Sequence, residues 1–80
     1  MEPFIGEVEL FPYTFVPTGW SLCDGKLLNI QQNQALFSII RTTYGGDGIT
    51  TFALPNLLGT EPIPFTKFCI AIQGYFPQRD

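Results

Sequence analysis

Eighty residues make one domain at most, and a chain this short buries only about 60% of the surface its unfolded form exposes. Hydrophobic residues make up 45% of it and charged residues 14%, more apolar surface than a small solvated monomer needs, and eight Phe, three Tyr and one Trp supply rings of the kind that join proteins. Seven acidic residues against four basic ones, Lys26, Arg41, Lys67 and Arg79, give a net charge of −3 with no basic patch, which disfavours nucleic-acid binding.

No apolar run reaches the roughly 18 residues that a transmembrane span needs, and Met1-Glu2-Pro3-Phe4 lacks the basic start of a secretory signal. There is no His, which removes the commonest general base and metal ligand. Cys23 and Cys69 are the only cysteines, too few for a closed zinc site. They are either two buried thiols or one disulfide, which the chain-entropy relation values at about 4 kcal/mol for so long a loop. Asp24, Asp47 and Glu61 have no spacing that argues for paired catalytic carboxylates, and no nucleophile has a candidate base. No cofactor, metal or catalytic activity is expected.

In chain order, residues 5–11 alternate, with Val8 and Leu10 on one face and Glu7 and Glu9 on the other, the period of a half-buried strand. Pro12 and Pro17 bound an irregular aromatic stretch from Tyr13 to Val16, and neither suits a central strand. Residues 20–23 read as a second strand, and Asp24-Gly25 as a hairpin turn into a third at residues 26–28. Ala35, Leu36, Ile39 and Ile40 recur at helical spacing and predict a helix over residues 31–41, capped by Asn29, with Gln31, Gln32, Gln34 and Ser38 toward water. This helix should cover the sheet.

Tyr44-Gly45-Gly46-Asp47-Gly48 demands backbone angles that other residues resist, so Gly45, Gly46 and Gly48 are expected to shape a structural loop. It follows the predicted helix and lacks the Lys and Ser or Thr of a phosphate-binding loop. Residues 50–54 predict a short strand stopped by Pro55, and Leu57-Leu58-Gly59 with Pro62 and Pro64 an irregular connection. Residues 68–76 close the pattern as a central strand: Phe68, Ile70 and Ile72 form one apolar row, Cys69 and Ala71 a second row of small side chains. Phe68, Ile70, Ala71 and Ile72 are therefore candidates for an assembly strand, covered within the subunit or by another copy. The fold class expected is α+β, a small, loop-rich mixed sheet with a hairpin and one covering helix, in a single domain over residues 1–80.

Several of these stretches, in order, resemble the phage tail-collar domain family, and more closely the small bacterial proteins named after microcystin-dependent expression. They are Phe4-Ile5-Gly6-Glu7, Gly19-Trp20 through Cys23-Asp24-Gly25, Asn33 to Ile40, Thr42-Thr43-Tyr44-Gly45-Gly46-Asp47-Gly48 and Thr51-Phe52-Ala53-Leu54-Pro55-Asn56-Leu57. The ending Ile70-Ala71-Ile72-Gln73-Gly74-Tyr75-Phe76-Pro77 resembles the close of the bacterial members. Where the family has a basic segment and a long glycine-rich insertion, this chain has Leu58-Gly59-Thr60-Glu61-Pro62.

The resemblance implies a structural, self-assembling subunit of a phage-tail-like fibre or extracellular filament, placed in a virion tail or cell-surface appendage. Its partners would be copies of itself, as a trimer or an open filament. The alternative is an adhesin tip for a cell-surface glycan or receptor, with Tyr13, Phe15, Trp20, Tyr44 and Tyr75 as stacking candidates.

Overall fold

A computed structural model describes residues 2–12 and 14–76. The sequence readings at Tyr13, Pro77, Arg79 and Asp80 lie outside the described residues. The chain is α+β: β1 (Val8–Pro12), β2 (Trp20–Leu22), β3 (Leu27–Asn29), α1 (Gln34–Ile40), β4 (Thr51–Ala53) and β5 (Thr66–Ala71). The strands form two antiparallel sheets, a three-stranded one in the order β1-β5-β2 and a two-stranded one of β3 and β4. A parallel bridge between Phe4 and Tyr75 ties the two terminal segments together.

β5 is the central strand, as its two apolar rows predict, but it runs from Thr66 to Ala71 instead of over residues 68–76. Its ladder stops there because the amides of Ile72 and Gln73 both donate to the carbonyl of Gly19, at 2.8 and 3.2 Å, which bends the chain away. Ile72 therefore packs against the core from beyond the strand. β1 starts later than expected, at Val8, because a turn precedes it in which the Glu7 amide donates to the Phe4 carbonyl at 3.1 Å. Pro12 ends β1 at the edge of the sheet, where a missing donor costs no ladder bond.

The expected hairpin at Asp24-Gly25 does not form, since β2 pairs with β5 and β3 with β4. The turn itself exists: Asp24 Oδ1 accepts from the Lys26 amide at 3.1 Å. Its flanks are held apart by different partners, because the Cys23 amide donates to Phe68 and the Lys26 carbonyl accepts from Leu54. The turn thus carries the chain from one sheet to the other.

α1 is shorter than predicted. Asn29 Oδ1 accepts from the Gln32 amide at 3.2 Å and caps a preceding turn, and the helix begins after Asn33. The helix buries Leu36, with Ala35, Phe37 and Ile40 packed against the core, whereas Ile39 is left exposed. Phe37 meets Phe52 of β4 with ring centroids 5.3 Å apart.

The register sorts the three-stranded sheet into two faces. Val8 and Leu10 stand opposite Ile70 and Phe68, so these four share the face toward the core. That core gathers Ile5, Cys23, Leu36, Phe52, Leu54 and Ile70 and holds no buried polar side chain among the described residues. The other face carries Glu9, Phe11, Trp20, Leu22, Lys67, Cys69 and Ala71.

Candidate functional site

The outer sheet face lacks a helix, yet Cys69 and Ala71 on it are fully buried. The register explains the cover. Trp20 stands opposite Ala71 and Leu22 opposite Cys69, and Phe11 reaches Trp20 edge-on with centroids 4.9 Å apart and planes at 72°. The small side chains of Cys69 and Ala71 leave room for this ring pair.

Beside the rings the N-terminal segment folds back and leaves a cleft of about 400 Å³, lined by Phe4, Phe11, Trp20 and the carboxylates of Glu2, Glu7 and Glu9. One Glu7 oxygen accepts from the Phe4 amide at 3.2 Å and fixes the cleft wall. A hydrogen bond shared with Glu7, then desolvation and repulsion from Glu7, raise the Glu9 carboxyl from its ordinary value. Sequence reasoning missed this cleft. The alternation of Glu7, Glu9 and Phe11 was visible, but only the β1-β5-β2 register sets those residues beside Trp20.

Gly45, Gly46 and Gly48 have φ of +130°, +95° and +73°. At Gly46 a Cβ would fall onto the Phe52 backbone, because the loop lies directly against β4. Asp47 organises the rest. Its Oδ1 accepts from the amides of Ile49, Thr50 and Thr51 at 2.8, 2.9 and 2.9 Å, and its Oδ2 from the Thr50 hydroxyl at 3.0 Å. These bonds favour the ionised form and hold the carboxyl far below the usual carboxylate range. Every hydrogen bond found for Asp47 is to residues 49–51, which lead from the glycine loop into β4.

Cys23 and Cys69 are buried free thiols. Burial, with a smaller contribution from Cys69 and Asp24 nearby, pushes Cys23 up to about 11; burial raises Cys69 as well. Among the described residues no three His, Cys, Asp or Glu side chains are placed to hold a metal ion.

Phe68, Ile70 and Ile72 lie in or against the core, Ala71 is buried on the outer face, and both edges of β5 are taken by β1 and β2. β5 therefore cannot pair with another copy along its length, and the exposed apolar residues lie elsewhere. At the end of the sheet where β1 finishes and β5 starts stand Phe15, Ile63 and Phe65; at the opposite end stand Phe4, Tyr75 and Phe76. Phe65 has a left-handed backbone, φ +61°, and is 84% exposed.

Two packed sheets, a loop locked by its own aspartate and apolar side chains at both sheet ends define a small structural module. The chain belongs to the phage tail collar domain family, whose family model matches residues 6–62. That family is one of structural tail-fibre domains, components of the virion tail. No curated protein and no solved structure matches the chain. No helix among the described residues is long and apolar enough to cross a membrane.

Proposed function

We propose that this collar domain is a self-associating building block of a tail-type fibre, joined to further copies of itself through the two ends of its three-stranded sheet, and that it has no catalytic role. The observation that carries this is Phe65. A non-glycine residue in the left-handed region is strained, and here the strain holds a large apolar ring in water beside Ile63, which is 55% exposed. Neither feature helps an isolated monomer. Both are accounted for if the ring seats on a neighbour.

The apolar residues at the opposite end supply the complementary surface. Phe4 and Tyr75 hold each other at 6.3 Å between ring centroids, leaving both rings more than half exposed. A contact between unlike ends of successive copies is head-to-tail, and if it does not close into a ring it produces an open filament. A stable contact buries about 800 Å² on each partner, roughly one seventh of the 5477 Å² this chain exposes. The short connection over residues 57–65, tied by bonds such as Leu58 N–H to Asn56 Oδ1 at 3.2 Å, supports a building block over a receptor-binding tip. The closing residues from Ile70 to Phe76 support placing the chain with the small bacterial members of the family.

Sedimentation velocity and negative-stain electron microscopy test this reading. The wild-type chain should form oligomers or filaments at micromolar concentration, and Phe65→Ser should shift it to monomer with unchanged circular dichroism. A wild-type chain that stays monomeric, or a Phe65→Ser chain that assembles as before, would refute it.

A further inference from the structure

The cleft on the outer sheet face combines two features that fibre packing does not require. Its floor is aromatic, with Trp20 and Phe11 set edge to face and Phe4 beside them. Its wall carries Glu2, Glu7 and Glu9, and Lys67 stands on the same sheet face, opposite Phe11. We propose that this cleft binds an alkylated ammonium group, seated over the Trp20 and Phe11 rings and surrounded by the three carboxylates.

Size, shape and charge each narrow the ligand. A volume of about 400 Å³ lies within the roughly 300 to 1,000 Å³ range of small-molecule sites. No three acidic, Cys or His side chains among the described residues are placed to hold a metal ion, so the three glutamates that line the cleft are not a compact metal-type cluster. Their charge therefore suits a diffuse organic cation better than a compact inorganic one. The face of an indole attracts such a cation through its quadrupole, Trp being the strongest of the aromatic side chains in this respect. A cation beside Glu7 and Glu9 would also offset the repulsion between them, which adds to a shared hydrogen bond and desolvation in raising the Glu9 carboxyl.

Trp20 is the chain's single tryptophan, so its fluorescence reports on the cleft directly. The test titrates the full chain with choline and, in parallel, with 3,3-dimethyl-1-butanol, which has the same shape without the charge, and with methyl glucoside. Phe4 lines both the cleft and one proposed assembly end, so each titration is run on wild type and on Phe65→Ser, which separates a cleft hidden by assembly from one that does not bind.

Choline should give a saturable change in Trp20 emission that added salt weakens, and the neutral isostere should bind at least about tenfold more weakly. The Glu7→Gln, Glu9→Gln double variant, altered only at the cleft wall, should weaken choline by roughly tenfold, the scale of two exposed charge pairs. Equal binding of choline and its isostere would mean an apolar pocket only and overturn the proposal. So would stronger binding of methyl glucoside, an unchanged affinity in the double variant, or no saturable response in either background.

Discussion

Asp47 shows how a loop of few apolar contacts is held in one shape. Three successive amides converge on one carboxylate oxygen, and the glycines before it supply the angles that bring the chain round. Gly46 and Gly59 both have positive φ, +95° and +84°, but they differ in surroundings. A Cβ at Gly46 would collide with the Phe52 backbone, whereas nothing lies within 4 Å of one at Gly59. Gly59→Ala should therefore cost only the left-handed strain, about 1 to 2 kcal/mol. Gly46→Ala adds a backbone clash that no rotamer relieves and should cost at least about 3 kcal/mol or prevent folding. Urea titrations of the two variants would reveal the difference, and equal losses would disprove it. The expectation that these glycines act through backbone shape was readable because three of them stand within five residues, a density that only a constrained turn explains.

The buried thiols set a pH limit on the fold. Cys23 ionises near 11 in the folded chain and nearer its ordinary value once unfolded, so the folded state binds its proton more tightly. The associated stability is fully present below the unfolded pKa and is lost as pH rises through the folded one. Between about pH 8 and pH 11 the wild type should lose about 2 kcal/mol more than Cys23→Ala. Denaturation curves at the two pH values measure it, and parallel losses in both proteins would contradict it.

At the scale of elements, β5 carries the structure. Ile70 is 1% exposed among Cys23, Leu36, Phe52 and Leu54, so Ile70→Ala should cost about 2 to 5 kcal/mol. Ala71 lies under the Trp20 side of the outer face, and Ala71→Leu should displace the ring pair and cost about 1 to 3 kcal/mol. Trp20 emission should shift in Ala71→Leu and hold in Ile70→Ala; the reverse pattern would mean the faces are assigned wrongly.

β5's central place was legible because apolar residues occupy both of its faces, which only a strand covered on two sides tolerates. The hairpin was not. Asp24-Gly25 signals a turn by local preference alone, and no local signal names the strand's partner, which here comes from more than forty residues away, at Cys69 and Ala71. The helix start was misplaced because Asn29 caps a turn as readily as a helix. The cleft was hidden for the same reason as the pairing, since its walls come from the N-terminal segment and its floor from β1 and β2.

Over the whole molecule, the family match ends at residue 62, before the strand that joins β1 to β2. Residues 6–62 contain both flanking strands of the larger sheet but not its middle, so the part most recognisable by sequence lacks the strand on which its own pairing depends. β3, α1 and β4, by contrast, follow closely along the chain, and β3 and β4 pair with each other. Local contacts of this kind close early, and long-range pairing closes late.

That order matters while the protein is being made. As the chain leaves the ribosome, β1 and β2 emerge with no partner, and both must wait for residues 66–71 before either can pair. Throughout that interval Phe11, Trp20 and Leu22 stay uncovered, in a protein whose finished surface already carries apolar side chains at two ends. Arrival of β5 completes the sheet, roofs Cys69 and Ala71 and fixes both sheet ends in one event. On the proposed reading, in which the two sheet ends join copies, those surfaces are set only once residues 66–71 have paired.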